Sequence, residues 1–319
     1  MDNKSLEEKW KTLTADSSGY KSLRIDGACV PDLFIGVSNA TTRSLILKLP
    51  AGNDIDFQST VKANLSIRFF PETNWIVIDL LDVRFTDLFN DLILSIYNKI
   101  AEKNKVAEYS SELITTFYKW SEFFHDKDSL QLSEETIRGI FGELIVLREH
   151  ITEAPASSLN DLLAAWRGPY HHRHDFAFLQ TDVEVKAKEE AAISIQISSE
   201  FQLDEDSGKP LELAVVSLRR ESAGISLREL VLGIRELIIS RLADFTLVLR
   251  ALTSHGLSIR ALQEYDSYRY TPASIEIYDC SAAGFPRITP ADLPESINEV
   301  GYALRTTALT TFLKTSKKL

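Results

Sequence analysis

Between a helix that opens at Ser133 and another that opens at Ser226, four short apolar runs follow one another. They span residues 174–179, 182–188, 192–198 and 211–218, each of strand rather than helix length. The order helix, four strands, helix predicts a compact mixed α/β unit, because few layered arrangements can bury that set of faces. Both helix starts are legible. Ser133 can cap the first, and Glu134 and Glu135 suit its positive end. Ser226-Leu-Arg-Glu229 is a capping-box pattern, with Leu230, Ile234, Leu237 and Ile238 on the inner side of the helix it opens. The first helix continues through Ile140, Leu144 and Leu147 to about His150 and carries Gly139 and Gly142. Each glycine costs up to about 1 kcal/mol against alanine in a helix, and admits the close approach of another backbone. Glu143 therefore either sits near the sheet or faces solvent.

Upstream, residues 33–37, 44–49, 64–70 and 75–80 read as strands, with turn chemistry at Pro50-Ala-Gly-Asn53 and Pro71-Glu-Thr-Asn74. The period then changes. Phe85, Leu88, Phe89, Leu92, Ile93 and Ile96 recur at helical spacing, and a second helix is expected from about Tyr109 to Phe124. Their aromatic stripe is a core face. The polar stretch His125-Asp-Lys-Asp-Ser129 marks a boundary. Three segments follow: a β-rich unit with helices over 1–126, a core over 127–250, and a C-terminal α+β extension over 251–319 that ends in a helix.

The chain has 319 residues, 44% hydrophobic and 25% charged, an ordinary globular composition. Cys29 and Cys280 are the only cysteines, which excludes a disulfide framework or a four-cysteine zinc site. The N-terminus lacks the apolar core of a secretory signal, and no apolar run approaches the roughly 18 residues of a membrane span. A cytoplasmic protein with no membrane association is expected. A net charge of −11 argues against a surface that attracts nucleic acid everywhere, yet leaves room for a local basic groove.

The chemistry concentrates in Asp175 to Lys188. On a strand Glu184, Lys186 and Lys188 share one face, while Val183, Val185 and Ala187 take the other. The turn-prone Gln180-Thr-Asp182 predicts a hairpin that brings Asp175 alongside Glu184. Two carboxylates and an ammonium make a site for a hard divalent cation such as Mg²⁺, with Mn²⁺ as a substitute. The Val185 carbonyl could supply a further oxygen. Such a cation polarises a phosphoryl group and lowers the pKa of a bound water, and Lys186 could orient that water and stabilise developing charge. His171, His172 and His174 also raise a zinc reading, but no cysteine lies near them and zinc needs three or four placed ligands. Ser198 and Ser199 lack a nucleophile elbow, and no phosphate-cradling glycine loop is present, so ATP use would belong to a partner.

The set Phe141-Gly-Glu143-Leu, His174-Asp175-Phe and Glu184-Val-Lys186 resembles the PD-(D/E)xK nuclease superfamily. More narrowly, the chain resembles a bacterial PD-(D/E)xK-motif family of unknown function (DUF4420-like) from restriction and methyltransferase gene clusters. Gly139-Ile-Phe-Gly-Glu-Leu144, Ile195-Gln-Ile-Ser-Ser-Glu-Phe-Gln-Leu203 and Phe285-Pro-Arg-Ile288 before Leu293-Pro-Glu-Ser-Ile297 add to the likeness. His174 stands where the motif has proline. The resemblance implies a restriction-endonuclease-like core, Asp175 and Glu184 as Mg²⁺ ligands, Glu143 near the metal or its water, and Lys186 as catalytic. Gln202, Ser198, Lys188 and His174 are expected as substrate-binding or supporting residues. The expected activity is a Mg²⁺-dependent DNA endonuclease subunit of a restriction or phage-defence system. Its partners would be DNA, a Z1-type ATPase, a MutL-like ATPase and a DNA methyltransferase, with a homodimer plausible for cutting both strands. The alternative is an inactive, DNA-binding or scaffold subunit that keeps the fold.

Overall fold

The computed structural model describes residues 1–13, 21–37, 43–52, 57, 59–125, 132–170, 172–206, 208–297 and 299–319. The boundary stretch beyond His125, the turn residue Asn53 and His171 of the histidine cluster lie outside the described residues. The chain divides into two compact units, Met1–Lys127 and Asp128–Leu319. Among the described residues no helix is long and apolar enough to cross a membrane.

The first unit opens with helix α1 (Asn3–Thr12) and contains an antiparallel six-stranded sheet. Its strands are β1 (Lys21–Arg24), β2 (Asp32–Val37), β3 (Arg43–Lys48), β4 (Thr60–Lys62), β5 (Leu65–Phe70) and β6 (Trp75–Leu80). Their order is β1-β2-β3-β6-β5-β4. The four strands read from alternation are β2, β3, β5 and β6. The edge strands β1 and β4 are too short and exposed to carry a signal. Cross-strand partners Leu33↔Leu47, Ile35↔Leu45 and Leu45↔Ile78 form one buried apolar face. Helices α2 (Thr86–Ile100) and α3 (Val106–Ser121) follow. Trp10 Nε1 donates to Asn90 Oδ1 at 3.0 Å and Arg43 bridges to Glu7 at 3.1 Å, tying α1, α2 and the sheet together.

In the second unit α4 (Glu134–Glu153) is capped by Ser133, whose side chain accepts from the Thr136 N–H. Then come α5 (Leu159–Ala164), β7 (Phe176–Ala177), β8 (Asp182–Glu189), β9 (Ser194–Ile197) and β10 (Leu211–Ser226). Ser226 and Glu229 form the expected capping box at the start of α6 (Leu227–Ser240), and α7 (Thr246–Ser254) follows. The last strands are β11 (Arg269–Asp279), β12 (Tyr302–Arg305) and β13 (Leu313–Lys318).

The main sheet runs β13-β11-β10-β8-β7, with β10 parallel to β8 and the other pairs antiparallel. The segment after residue 251 thus supplies two strands of this sheet. The expected final helix is absent. Residues 302–319 form β12, two 3₁₀ turns and β13 instead. Thr315 favours extended backbone, and pairing of Lys317 with Ile275 and Thr315 with Ile277 outweighs any helical preference. The run at 192–198 contains strand β9, as expected. It pairs with β12 outside the main sheet, and Ile195 and Ile197 pack on Leu211, Leu213 and Val215 of β10.

Candidate active site

Strand β8 carries the centre of the site. Among the described residues it has no partner strand on its β7 side beyond Val183, because β7 pairs only through Phe176↔Val183 and Ala177↔Asp182. The expected longer strand at 174–179 stops there for a local reason. The Asp175 carbonyl accepts from Arg167 N at 2.7 Å and Gly168 N at 2.9 Å, and the turn closes by Phe178 N to Thr181 O at 3.1 Å. The Asp175 side chain fills the vacated edge, its Oδ2 accepting the Val185 N–H at 2.8 Å. A strand residue's N–H and C=O leave by the same edge, so the Val185 carbonyl turns toward this side as well.

Glu184, 2% exposed, forms an ion pair with Lys186 at 2.9 Å. Lys186 Nζ also donates to Gln202 Oε1 at 2.9 Å, and the same oxygen accepts the Ser198 N–H at 2.8 Å. Glu143 arrives from α4, brought close by Gly142: a Cβ there would lie 2.8 Å from the Ala187 Cβ. Glu143 is buried, and its Oε2 accepts from Trp166 Nε1 at 2.7 Å. Gly168 lies between two of the carboxylates. A Cβ on it would meet Asp175 Oδ1 at 2.5 Å and Glu143 Oε2 at 3.0 Å. His255 Nε2 stands 3.8 Å from Glu143 Oε2 and, among the described residues, has no hydrogen-bond partner.

These groups open into a cleft of about 490 Å³ lined by Glu143, Asp175, Glu184, Val185 and Lys186, with Lys188, Ser198 and Gln202 on its walls. Every expected catalytic and metal-site residue therefore lines one cleft. Lys188 spends its ammonium on the turn after β8, donating to the Ala192 carbonyl at 2.9 Å. His174, expected as a substrate or supporting residue, does not line the cleft. Neighbours along an extended chain face opposite ways, and His174 is buried with Nε2 3.0 Å from the Asp204 carbonyl. Its Nδ1 lies 3.7 Å from Asp182, and among the described residues the ligand-type atoms of His174, Asp182 and Asp206 lie within 4.8 Å of one another. Lys209, 2.6 Å from Asp182, already neutralises that carboxylate.

Trp166, Gly168 and His255 were not expected at the site. No motif marks Trp166 or Gly168 in the sequence, and no local pattern distinguishes a histidine so far downstream.

Burial is the main cause that raises the Glu184 carboxyl to about 7, with Glu143 adding to it and the Lys186 ammonium opposing. Asp175 is pushed well above the usual carboxylate range by burial and by the charges of Glu184 and Glu143, against the Val185 N–H and Lys186. Three carboxylates thus share one ammonium. Leaving such charge uncompensated at low dielectric is costly. The donor set, hard oxygens with excess negative charge, fits a divalent cation such as Mg²⁺ or Mn²⁺.

A family model described as "Putative PD-(D/E)XK family member" (DUF4420) matches residues 6–307. The chain belongs to this family. The mixed α/β architecture is that of a PD-(D/E)XK-like fold, nuclease-like in type, whose nucleases usually use divalent metals. No curated protein and no solved structure matches the chain.

Proposed function

We propose that this protein is a Mg²⁺-dependent DNA endonuclease, hydrolysing phosphodiester bonds in the cleft beside β8. The observation that carries the reading is the convergence of Asp175, Glu184 and Lys186 at an open strand edge, with Glu143 reaching in from α4. Asp175, Glu184 and the Val185 carbonyl would hold the cation, with Glu143 beside them. When bound, Mg²⁺ polarises the phosphoryl group and acidifies a water.

The chain's own groups do the positioning. Glu184 and Gln202 engage two of the three N–H bonds of Lys186, which leaves the third for a group bound in the cleft that Lys186 lines. That N–H would hold the attacking water or a phosphate oxygen as charge develops. Trp166 fixes the Glu143 carboxylate by a hydrogen bond. Work in a bacterial restriction or phage-defence system, beside an ATPase and a DNA methyltransferase, rests on the family resemblance.

The test is incubation of plasmid DNA with Mg²⁺ and wild type, Asp175→Ala or Lys186→Ala. Nicking or linearisation by wild type and its loss in both variants is expected. Cleavage that survives both substitutions would remove the site from the reaction.

A further inference from the structure

The two glycines of α4 have different reasons. Gly142 is required by packing, since its absent Cβ would strike Ala187. Gly139 is not: a Cβ there would meet nothing within 4 Å. It nonetheless lines the cleft, one helical turn before Glu143 and next to Arg138. A helix-interior glycine with no packing role gives up helix stability for nothing inside the fold. What its missing side chain preserves is the open space of the cleft itself.

Residues at i and i+4 share a helix face, so Gly139 lies directly along α4 from Glu143, about 6 Å away by helical rise. Arg138, which also lines the cleft, is held only loosely. Its Nη1 is 3.6 Å from Glu189 Oε1, beyond hydrogen-bond length, and its side chain is one quarter exposed. A guanidinium so placed can turn to take a phosphate in its two-pronged fork.

We propose that Gly139 keeps a lane open along α4 for the sugar–phosphate backbone of the bound strand, and that Arg138 holds the phosphate beside the one that is cut. This rests on the nuclease reading. It adds which wall of the cleft the strand follows and which residues admit it. A glycine there for access should behave unlike one there for packing, because filling it stabilises the fold while excluding the ligand.

The test uses the full chain with Gly139→Ala, Gly139→Gln, Arg138→Gln and Arg138→Lys. Melting temperature is measured, and binding of a fluorescent DNA oligonucleotide in Ca²⁺ is followed by anisotropy over a NaCl series. Gly139→Ala should raise Tm by about 2–4 °C, and Gly139→Gln should remain folded while binding DNA at least about tenfold more weakly. Arg138→Gln should reduce the slope of log affinity against log salt by about 0.7–0.9, a loss that Arg138→Lys restores. If Gly139→Gln unfolds, Gly139→Ala decides: a raised Tm with weaker binding supports the lane. Wild-type binding by the folded glycine variants, or a lowered Tm in Gly139→Ala, overturns the lane and leaves the nuclease reading standing. If wild type binds no DNA, the nuclease reading fails and the lane fails with it.

Discussion

Asp175 Oδ2 and the Val185 N–H, 2.8 Å apart, form a hydrogen bond where a neighbouring strand would otherwise pair. The carboxylate thereby satisfies a buried backbone donor, and in the proposed nuclease its other oxygen would serve the cation. Asparagine can do the first job and not the second. Asp175→Asn is expected to keep the fold and lose Mg²⁺-induced stabilisation and cleavage. Asp175→Ala, which strands the donor, should lose cleavage and also about 1–3 kcal/mol of stability. Chemical denaturation of both variants in EDTA checks the difference, and equal stability would remove the structural job.

The raised Glu184 carboxyl sets a pH dependence. Folding lifts it from 4.5 to about 7, so the folded state binds this proton more tightly than the unfolded chain does. Protonation therefore favours the fold, and the metal-free protein should lose this stabilisation as pH rises through about 7. A cation competes for the same oxygens, so Mg²⁺ should raise Tm more at pH 8 than at pH 6. Melting curves in EDTA and in Mg²⁺ at the two pH values measure it. An equal Mg²⁺ effect at both would contradict the assignment.

Gly168 has no room for a side chain. Its Cβ would press on Asp175 Oδ1 and on the Asp175 Cα at 3.2 Å, and the Cα, being backbone, cannot swing aside. Gly168→Ala should cost about 1–3 kcal/mol and displace Asp175 enough to abolish Mg²⁺-induced stabilisation. Calorimetric titration with Mg²⁺ reads the second effect directly.

Gln202 holds Lys186, its Oε1 accepting from Nζ at 2.9 Å, so its expected role is to position that ammonium. Gln202→Ala removes the acceptor shared by Lys186 and the Ser198 N–H. A loss of about 10- to 100-fold in cleavage rate is expected, as for other supporting residues, with DNA affinity within a few-fold of wild type. Gln202→Glu restores the acceptor and should recover part of the rate; recovery in binding alone would place Gln202 on the substrate instead.

Glu143 depends on Trp166 in the same way. Trp166→Phe keeps the ring but deletes the N–H that holds Glu143 Oε2. It should cost about 1–3 kcal/mol and weaken Mg²⁺ binding, measured by the same titration.

Much of the site was legible because its signals are local. The spacing of Glu184, Val185 and Lys186 on one strand assigns their faces without reference to the rest of the fold, and the turn at 180–182 brings Asp175 to the same edge. Helix starts at Ser133 and Ser226 were equally plain, since capping is a matter of a few adjacent residues. Glu143 was ambiguous from sequence because a glycine neighbour signals close approach without naming the partner.

The sequence by itself determined the motif residues, the class of fold and the family, all of which depend on local periodicity and the order of segments. Tertiary structure alone decided that Gly142 meets Ala187 while Gly139 opens onto the cleft, that Trp166 and His255 reach Glu143, and that His174 turns away. It also decided the fate of the tail. Residues 313–318 are exposed along their whole length and carry no alternating apolar signal, so only pairing with β11 makes them a strand. The physical reason is common to all of these. Strand faces and helix caps are set by neighbours in the chain, whereas contacts across a sheet edge or between distant helices depend on register and approach, which no local window contains.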